Sequence, residues 1–187
     1  MVLDGVADQP GGGMEVVRER ELFVQLYLVQ HGAAKSEAED PQRRLTAEGT
    51  KTVKRMAAYL SALKLHLDGI EHSDKERARE TAEIMATHLH PAEGTRQVAG
   101  MAPNDDVGLM RERLQKESRS LMIVGHLPYL SRLLSVLLGA QEDRTLVTFQ
   151  MGGVVHVERE DNGEWRMRWI LVPELLPERT SQHRNAA

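Results

Sequence analysis

The sequence predicts an α/β fold with a mostly parallel central sheet covered by helices on both faces. Two observations carry that prediction. The runs Leu26–Val29 and Leu121–Val124 are apolar without alternation, as expected of strands buried on both sides. Between and around them lie segments with helical spacing of apolar residues, so strands and helices alternate along the chain. A third observation points to the working end of the sheet. Both apolar runs lead into a histidine, in Gln30-His31-Gly32 and in Gly125-His126. The carboxyl ends of the strands are where open α/β sheets hold their ligands.

The elements follow in order. Residues Met1–Arg20 carry Gly11-Gly12-Gly13 and no periodicity, and read as an N-terminal extension (1–20). The first strand is expected over about Glu21–Val29. A polar loop with Pro41 leads to Thr46, a good N-cap, with Glu48 in the first turn of a helix. Val53, Met56, Ala57, Leu60 and Leu63 form its apolar face. Gly69–Ser73 reads as a short strand and Arg77–His88 as a helix with Ala78, Thr81, Ala82, Met85 and Leu89 inward. Thr95–Val98 is a third short strand. Asn104, Asp105 or Asp106 is expected to cap a helix reaching Lys116. After the strand at Leu121–Val124, an apolar helix runs over Tyr129–Leu138 and stops at Gly139. Thr145–Phe149, Gly153–Val157 and Trp165–Val172 are β-like, with Asp161-Asn162-Gly163 as a hairpin turn and Pro173 ending the last strand. With no repeat or linker, 21–176 is expected to be one domain and 177–187 a frayed tail.

Composition bounds the function. With 187 residues, 41% apolar and 28% charged, the chain can bury a sizeable core. Aromatics are only 4%, so aliphatic residues and nine methionines must fill it. A net charge of −4 with no basic run argues against a nucleic-acid partner. No apolar run approaches the ~18 residues of a membrane span, and no signal peptide is recognisable. The absence of cysteine excludes thiolate chemistry and permits a cytoplasmic location. Eight histidines occur without a His-Glu-x-x-His helix, so no metal and no cofactor is expected.

Cations join the two histidines. Arg43 and Arg44 lie on the loop after His31. Arg77 opens the helix after Ser73, where backbone amides and the helix dipole favour anions. Guanidinium groups match phosphate oxygens with paired hydrogen bonds. Gly32 allows a sharp turn and a close approach of a ligand to the backbone.

In this order the residues resemble the histidine phosphatase superfamily, and within it the short SixA-like phosphohistidine phosphatases. The family's Arg-His-Gly reads Gln30-His31-Gly32 here. Its Arg before Leu-Thr-x-x-Gly reads Arg43-Arg44-Leu45-Thr46-Ala47-Glu48-Gly49. Its Ser with Arg-Ala and Thr reads Ser73-Asp74-Lys75-Glu76-Arg77-Ala78-Arg79-Glu80-Thr81, and its later Gly-His reads Gly125-His126-Leu127-Pro128. The resemblance spans about Leu26 to Pro173.

It implies a phosphoglycerate mutase-like fold and a two-step phosphoryl transfer. His31 would attack phosphorus and become a transient phosphohistidine, which water then hydrolyses. Arg43, Arg77 and His126 would hold the phosphoryl oxygens, with Arg44 as the alternative to Arg43. Gln30 and Gly32 complete the expected substrate contacts, and Arg79 is expected on the helix surface. The expected partner is a phosphorylated protein histidine or a small phosphorylated molecule, with phosphate or sulfate able to occupy the site. One departure stands out. Gln30 replaces the family's arginine, and an amide donates without charge and without the guanidinium fork. Losing one charged donor can cost roughly 2–4 kcal/mol of transition-state stabilisation. Three outcomes stay open: a tuned enzyme, a weak one, or a phosphate-binding protein with little turnover. No acid that would protonate a leaving group is assignable. Asp105 and Asp106 read as helix caps. That favours phosphohistidine, whose imidazole leaves more readily than an alkoxide, over a small-molecule phosphomonoester.

Overall fold

A computed structural model describes residues 23–177. Six strands form one sheet: β1 (Val24–Gln30), β2 (Gly69–His72), β3 (Thr95–Gln97), β4 (Leu121–Gly125), β5 (Val154–Arg159) and β6 (Trp165–Leu171). Four helices cover it: α1 (Ala47–Ala62), α2 (Glu76–Leu89), α3 (Gly108–Gln115) and α4 (Tyr129–Leu137). The spatial order is β3-β2-β4-β1-β5-β6. The first four strands are parallel, and β5 and β6 form an antiparallel hairpin alongside β1. The expected N-terminal extension and most of the expected tail lie outside the described residues. Among those described, no helix is long and apolar enough to cross a membrane.

β1 and β4 are apolar on both sides because each side meets a helical layer. Leu26, Leu28, Leu121 and Ile123 pack with Met110 and Leu114 of α3 and Leu130, Leu133 and Leu134 of α4. Tyr27, Val29, Met122 and Val124 pack with Val53, Met56, Ala57 and Leu60 of α1 and Ala78, Ala82 and Met85 of α2. The connection leaving β1 enters α1 on one face, and the connection leaving β4 enters α4 on the other. Divergence of two adjacent loops to opposite faces opens a crevice at the carboxyl ends of these strands.

Most elements fall where periodicity puts them, with three corrections. Leu63 does not extend the apolar face of α1. The helix ends at Ala62, Lys64 turns to a φ of 49°, and Leu63 is 48% exposed. Thr145–Phe149 is not a strand. The edge of β1 that it could join is taken by β5, and only Phe149 of this segment is buried. Neither aspartate is the N-cap of α3, which is Val107. Asp106 instead accepts the Gly108 N–H at 2.7 Å, and Asp105 accepts that of Ala102 at 2.7 Å.

One core histidine is packed as an aromatic. His156 on β5 stacks on Tyr27 at 4.6 Å and 13°, and meets Trp169 at 4.8 Å. It is buried, and neither ring nitrogen has a hydrogen-bond partner among the described residues. Burial pushes its pKa down to about 4, against the pull of Glu158 and with a small push from Arg168. The folded state therefore resists the proton that the unfolded state accepts below pH ~6.5. Stability from this site is complete above that pH and is lost as pH falls towards 4, by up to about 3 kcal/mol. His156→Phe is expected to keep the stack and flatten the fall in melting temperature between pH 6.5 and 4. An unchanged slope in thermal melts would remove His156 from the acid response.

Candidate active site

The site is assembled on the β1–β4 ladder. Gln30 pairs with Gly125, and the N–H of His31 donates to the Gly125 carbonyl at 3.2 Å, so the first histidine begins where its strand stops. Gly32 donates its N–H to Thr81 Oγ1 at 3.1 Å, and the Thr81 hydroxyl donates to the Arg77 carbonyl at 2.7 Å. The loop after β1 is thereby fastened to the first turns of α2. Below it, the N-terminus of α1 approaches closely. A Cβ on Gly32 would lie 2.7 Å from Val53 Cγ2, and one on Gly49 would lie 2.1 Å from the Ala33 carbonyl oxygen. The missing side chain of Gly32 thus makes room for a helix, and its amide is already engaged.

The ring of His31 is held in one tautomer. Its Nδ1 lies 2.7 Å from the Gly32 carbonyl, an acceptor, so Nδ1 carries the proton and Nε2 keeps its lone pair. Arg77 Nε donates to that Nε2 at 3.2 Å. The ring of His126 lies 4.9 Å from that of His31. Burial holds the His31 pKa at about 4, with Arg77 and Arg43 adding to it and the Gly32 bond opposing it. His126 is held at about 3 by burial, then by His31 and Arg77. Both rings are neutral at physiological pH. Arg77 is also lowered, by burial first and then by Arg43.

The two adjacent arginines diverge. Arg43 has a left-handed φ of 51°, a conformation costing a non-glycine residue about 1 kcal/mol or more. The turn is built around buried Asp40, which accepts the Gln42 N–H at 3.0 Å through Oδ1, while its carbonyl accepts the Arg43 N–H at 2.7 Å. Arg44 turns back to Asp40 at 3.5 Å and to Gln42. Arg43 instead exerts its charge on both His31 and Arg77. The ends of this strap are joined by Lys35 N–H to the Arg44 carbonyl at 2.9 Å, and Leu45 N–H donates to Glu80 Oε2 at 2.7 Å.

His31, His126 and Arg77 are therefore brought together, while Arg43 donates from Nε to the Lys35 carbonyl at 3.4 Å and acts on His31 and Arg77 through its charge. Gln30 is buried next to His31, its Oε1 without a hydrogen-bond partner among the described residues. Strand alternation puts it on the side of Leu26 and Leu28. Arg79 pairs with Glu76 and Glu83 on the surface of α2. Sequence reasoning did not find the supports: Ser73, whose Oγ meets His126 Nε2 at 2.6 Å, Thr81, Asp40 and Glu80. Ser73 and Thr81 stand in the pattern that carries the resemblance, and Asp40-Pro41 is a turn signal. Their partners are far off in sequence, so spacing alone could not name their tasks.

A neutral imidazole with an unprotonated nitrogen that accepts from a guanidinium suits attack on an electrophile that carries negative charge. Known proteins share this arrangement of chain. The family model of the histidine phosphatase superfamily, branch 1, matches residues 26–101. An uncharacterised protein of Picosynechococcus sp. strain PCC 7002 is 37% identical over 113 residues, which are 56% of this chain and 67% of that protein. The phosphohistidine phosphatase SixA of Escherichia coli K12 is 26% identical over 155 residues, 80% of this chain and 94% of its own. The solved structure of the protein histidine phosphatase SixA complexed with tungstate superposes with a TM-score of 0.74 at 26% identity, covering 82% of this chain and all of that one. Fold, motif order and sequence likeness agree, and the chain belongs to the histidine phosphatase superfamily as a SixA-like member.

Proposed function

We propose that this protein is a phosphohistidine phosphatase that works through a transient phosphohistidine on His31. The observation that carries the reading is the meeting of Arg77 Nε with His31 Nε2 at 3.2 Å, with the His126 ring 4.9 Å from that of His31. Likeness to E. coli SixA, a phosphohistidine phosphatase by name, and to a SixA structure holding tungstate, a tetrahedral oxyanion, supports it.

His31 Nε2 attacks phosphorus while the bond to the substrate's leaving nitrogen breaks. Arg77 passes its N–H from Nε2 to a phosphoryl oxygen as the lone pair is engaged. Arg43 and His126 hold the remaining oxygens. Water then attacks the phosphohistidine, the N–P bond breaks and returns its electron pair to Nε2, and dihydrogen phosphate leaves with the oxygen and both protons of the water. Asp105 and Asp106 each accept a backbone amide, as turn-forming residues do, and no acid is assigned to protonate a leaving group. An imidazole leaving group needs that help least. The chain's lack of cysteine accords with a cytoplasmic location.

The second reading is a phosphate-binding protein of this fold with little turnover, and Gln30 favours it. An uncharged amide with a buried, unpartnered oxygen replaces a charged donor beside the nucleophile.

Three measurements bear on these readings. His31→Ala is expected to lower turnover of phosphohistidine and of an aryl phosphate by about 10³-fold or more, with its melting temperature retained. Undiminished turnover would exclude His31 as the nucleophile. Arg43→Ala is expected to weaken phosphate or tungstate binding by about tenfold or more, the worth of a charge-assisted hydrogen bond, while Arg44→Ala leaves binding near wild type. Titration calorimetry on both variants checks this, and equal losses would contradict the divergence of the two side chains. Gln30→Arg is expected to tighten phosphate inhibition and to raise the rate by up to ~10²-fold. No change in rate or inhibition would mean that residue 30 does not face the anion.

A further inference from the structure

We infer that Ser73 is a positioning residue of the site: its hydroxyl donates to His126 Nε2 and so fixes the plane and tautomer of that ring. The inference deepens the proposed function and rests on it for its catalytic consequence.

Ser73 follows β2 and is 1% exposed. Its backbone N–H donates to the Val124 carbonyl at 3.3 Å, which fastens it to the strand that delivers His126. Its Oγ lies 2.6 Å from His126 Nε2 and accepts the Lys75 N–H at 3.4 Å. His126 is 2% exposed, and its Nδ1 has no partner among the described residues. The serine contact is therefore the one hydrogen bond found for this ring among them. A histidine ring without a partner rotates about its last torsion with little resistance, since that torsion is broad.

Proton bookkeeping selects the direction of the bond. If Nε2–H donated to Oγ, the serine proton would need another acceptor, and none is found. Nδ1 would then also stand bare and unpartnered, which leaves two buried groups unsatisfied. If Oγ–H donates to Nε2, the oxygen still accepts from Lys75, and only Nδ1–H is left without a partner. Unsatisfied buried polar groups are costly, so the second arrangement is favoured. Partners of this kind set which nitrogen of a catalytic histidine carries the proton, and their loss typically costs about 10- to 100-fold in activity.

The test combines spectroscopy with kinetics. In the wild-type protein, the ¹⁵N signals of His126, assigned by comparison with His126→Gln, should report a proton on Nδ1 and a hydrogen-bonded, bare Nε2. This holds whether or not the protein turns over phosphohistidine. Ser73→Ala should shift those signals towards a mixture of tautomers and lower kcat about 10- to 100-fold with the melting temperature nearly kept. Ser73→Thr, which retains the hydroxyl, should recover the signals. A proton on Nε2 in the wild type would overturn the inference, and this measurement stands even if Ser73→Ala fails to fold. So would His126 signals unmoved in Ser73→Ala. Failure of the phosphatase reading appears differently, as wild-type protein with the predicted tautomer and no turnover.

Discussion

The site depends on the register between β1 and β4. Gln30 faces Gly125 across a parallel ladder, and the next residue on each strand is a histidine. Parallel pairing brings two residues to the same height only if the strands are aligned residue for residue. A slip by one position would carry the alternating sets Leu26/Leu28 and Tyr27/Val29 into the wrong helical layers. The hydrophobic core therefore holds the two rings together, although neither ring belongs to it. Residues with no chemical task of their own determine the ring separation.

Electrostatics then works on a prepared frame. Both rings are kept neutral by burial and by nearby cations, which suits one as a nucleophile and the other as a partner to an anion. The cations cannot neutralise one another, and Arg77 is disfavoured by Arg43. A negatively charged group between them would relieve that repulsion, a form of preorganisation in which binding and charge stabilisation arise from the same groups.

Much of this was legible in the sequence. The doubly buried strands were visible as unbroken apolar runs, the α1 N-cap as Thr46, and the site as two histidines at strand ends with arginines on the following segments. What stayed hidden was relational. Which of Arg43 and Arg44 folds back on Asp40 depends on a left-handed φ and on where that buried carboxylate sits, and neither leaves a mark in residue spacing. Thr145–Phe149 has the composition of a strand, but strand propensity needs a free edge, and β5 had taken it. Gly32 looked like a point of ligand approach, whereas the space it leaves belongs to Val53 and to the helix behind it. Gly49 meets Ala33 in the same way from the other side.

That pair of glycines has a mechanical consequence. Where a backbone carbonyl and a helix backbone meet with no side chain between them, there is no soft group to deform. The loop bearing His31 and the first turn of α1 must move together or not at all. Thr81 adds a second fastening to α2. The strap that carries Arg43 is likewise tied at its ends by hydrogen bonds and turned by one carboxylate. The place of the His31 ring is thereby set by backbone contact with a helix on one side and by a helix hydroxyl on the other.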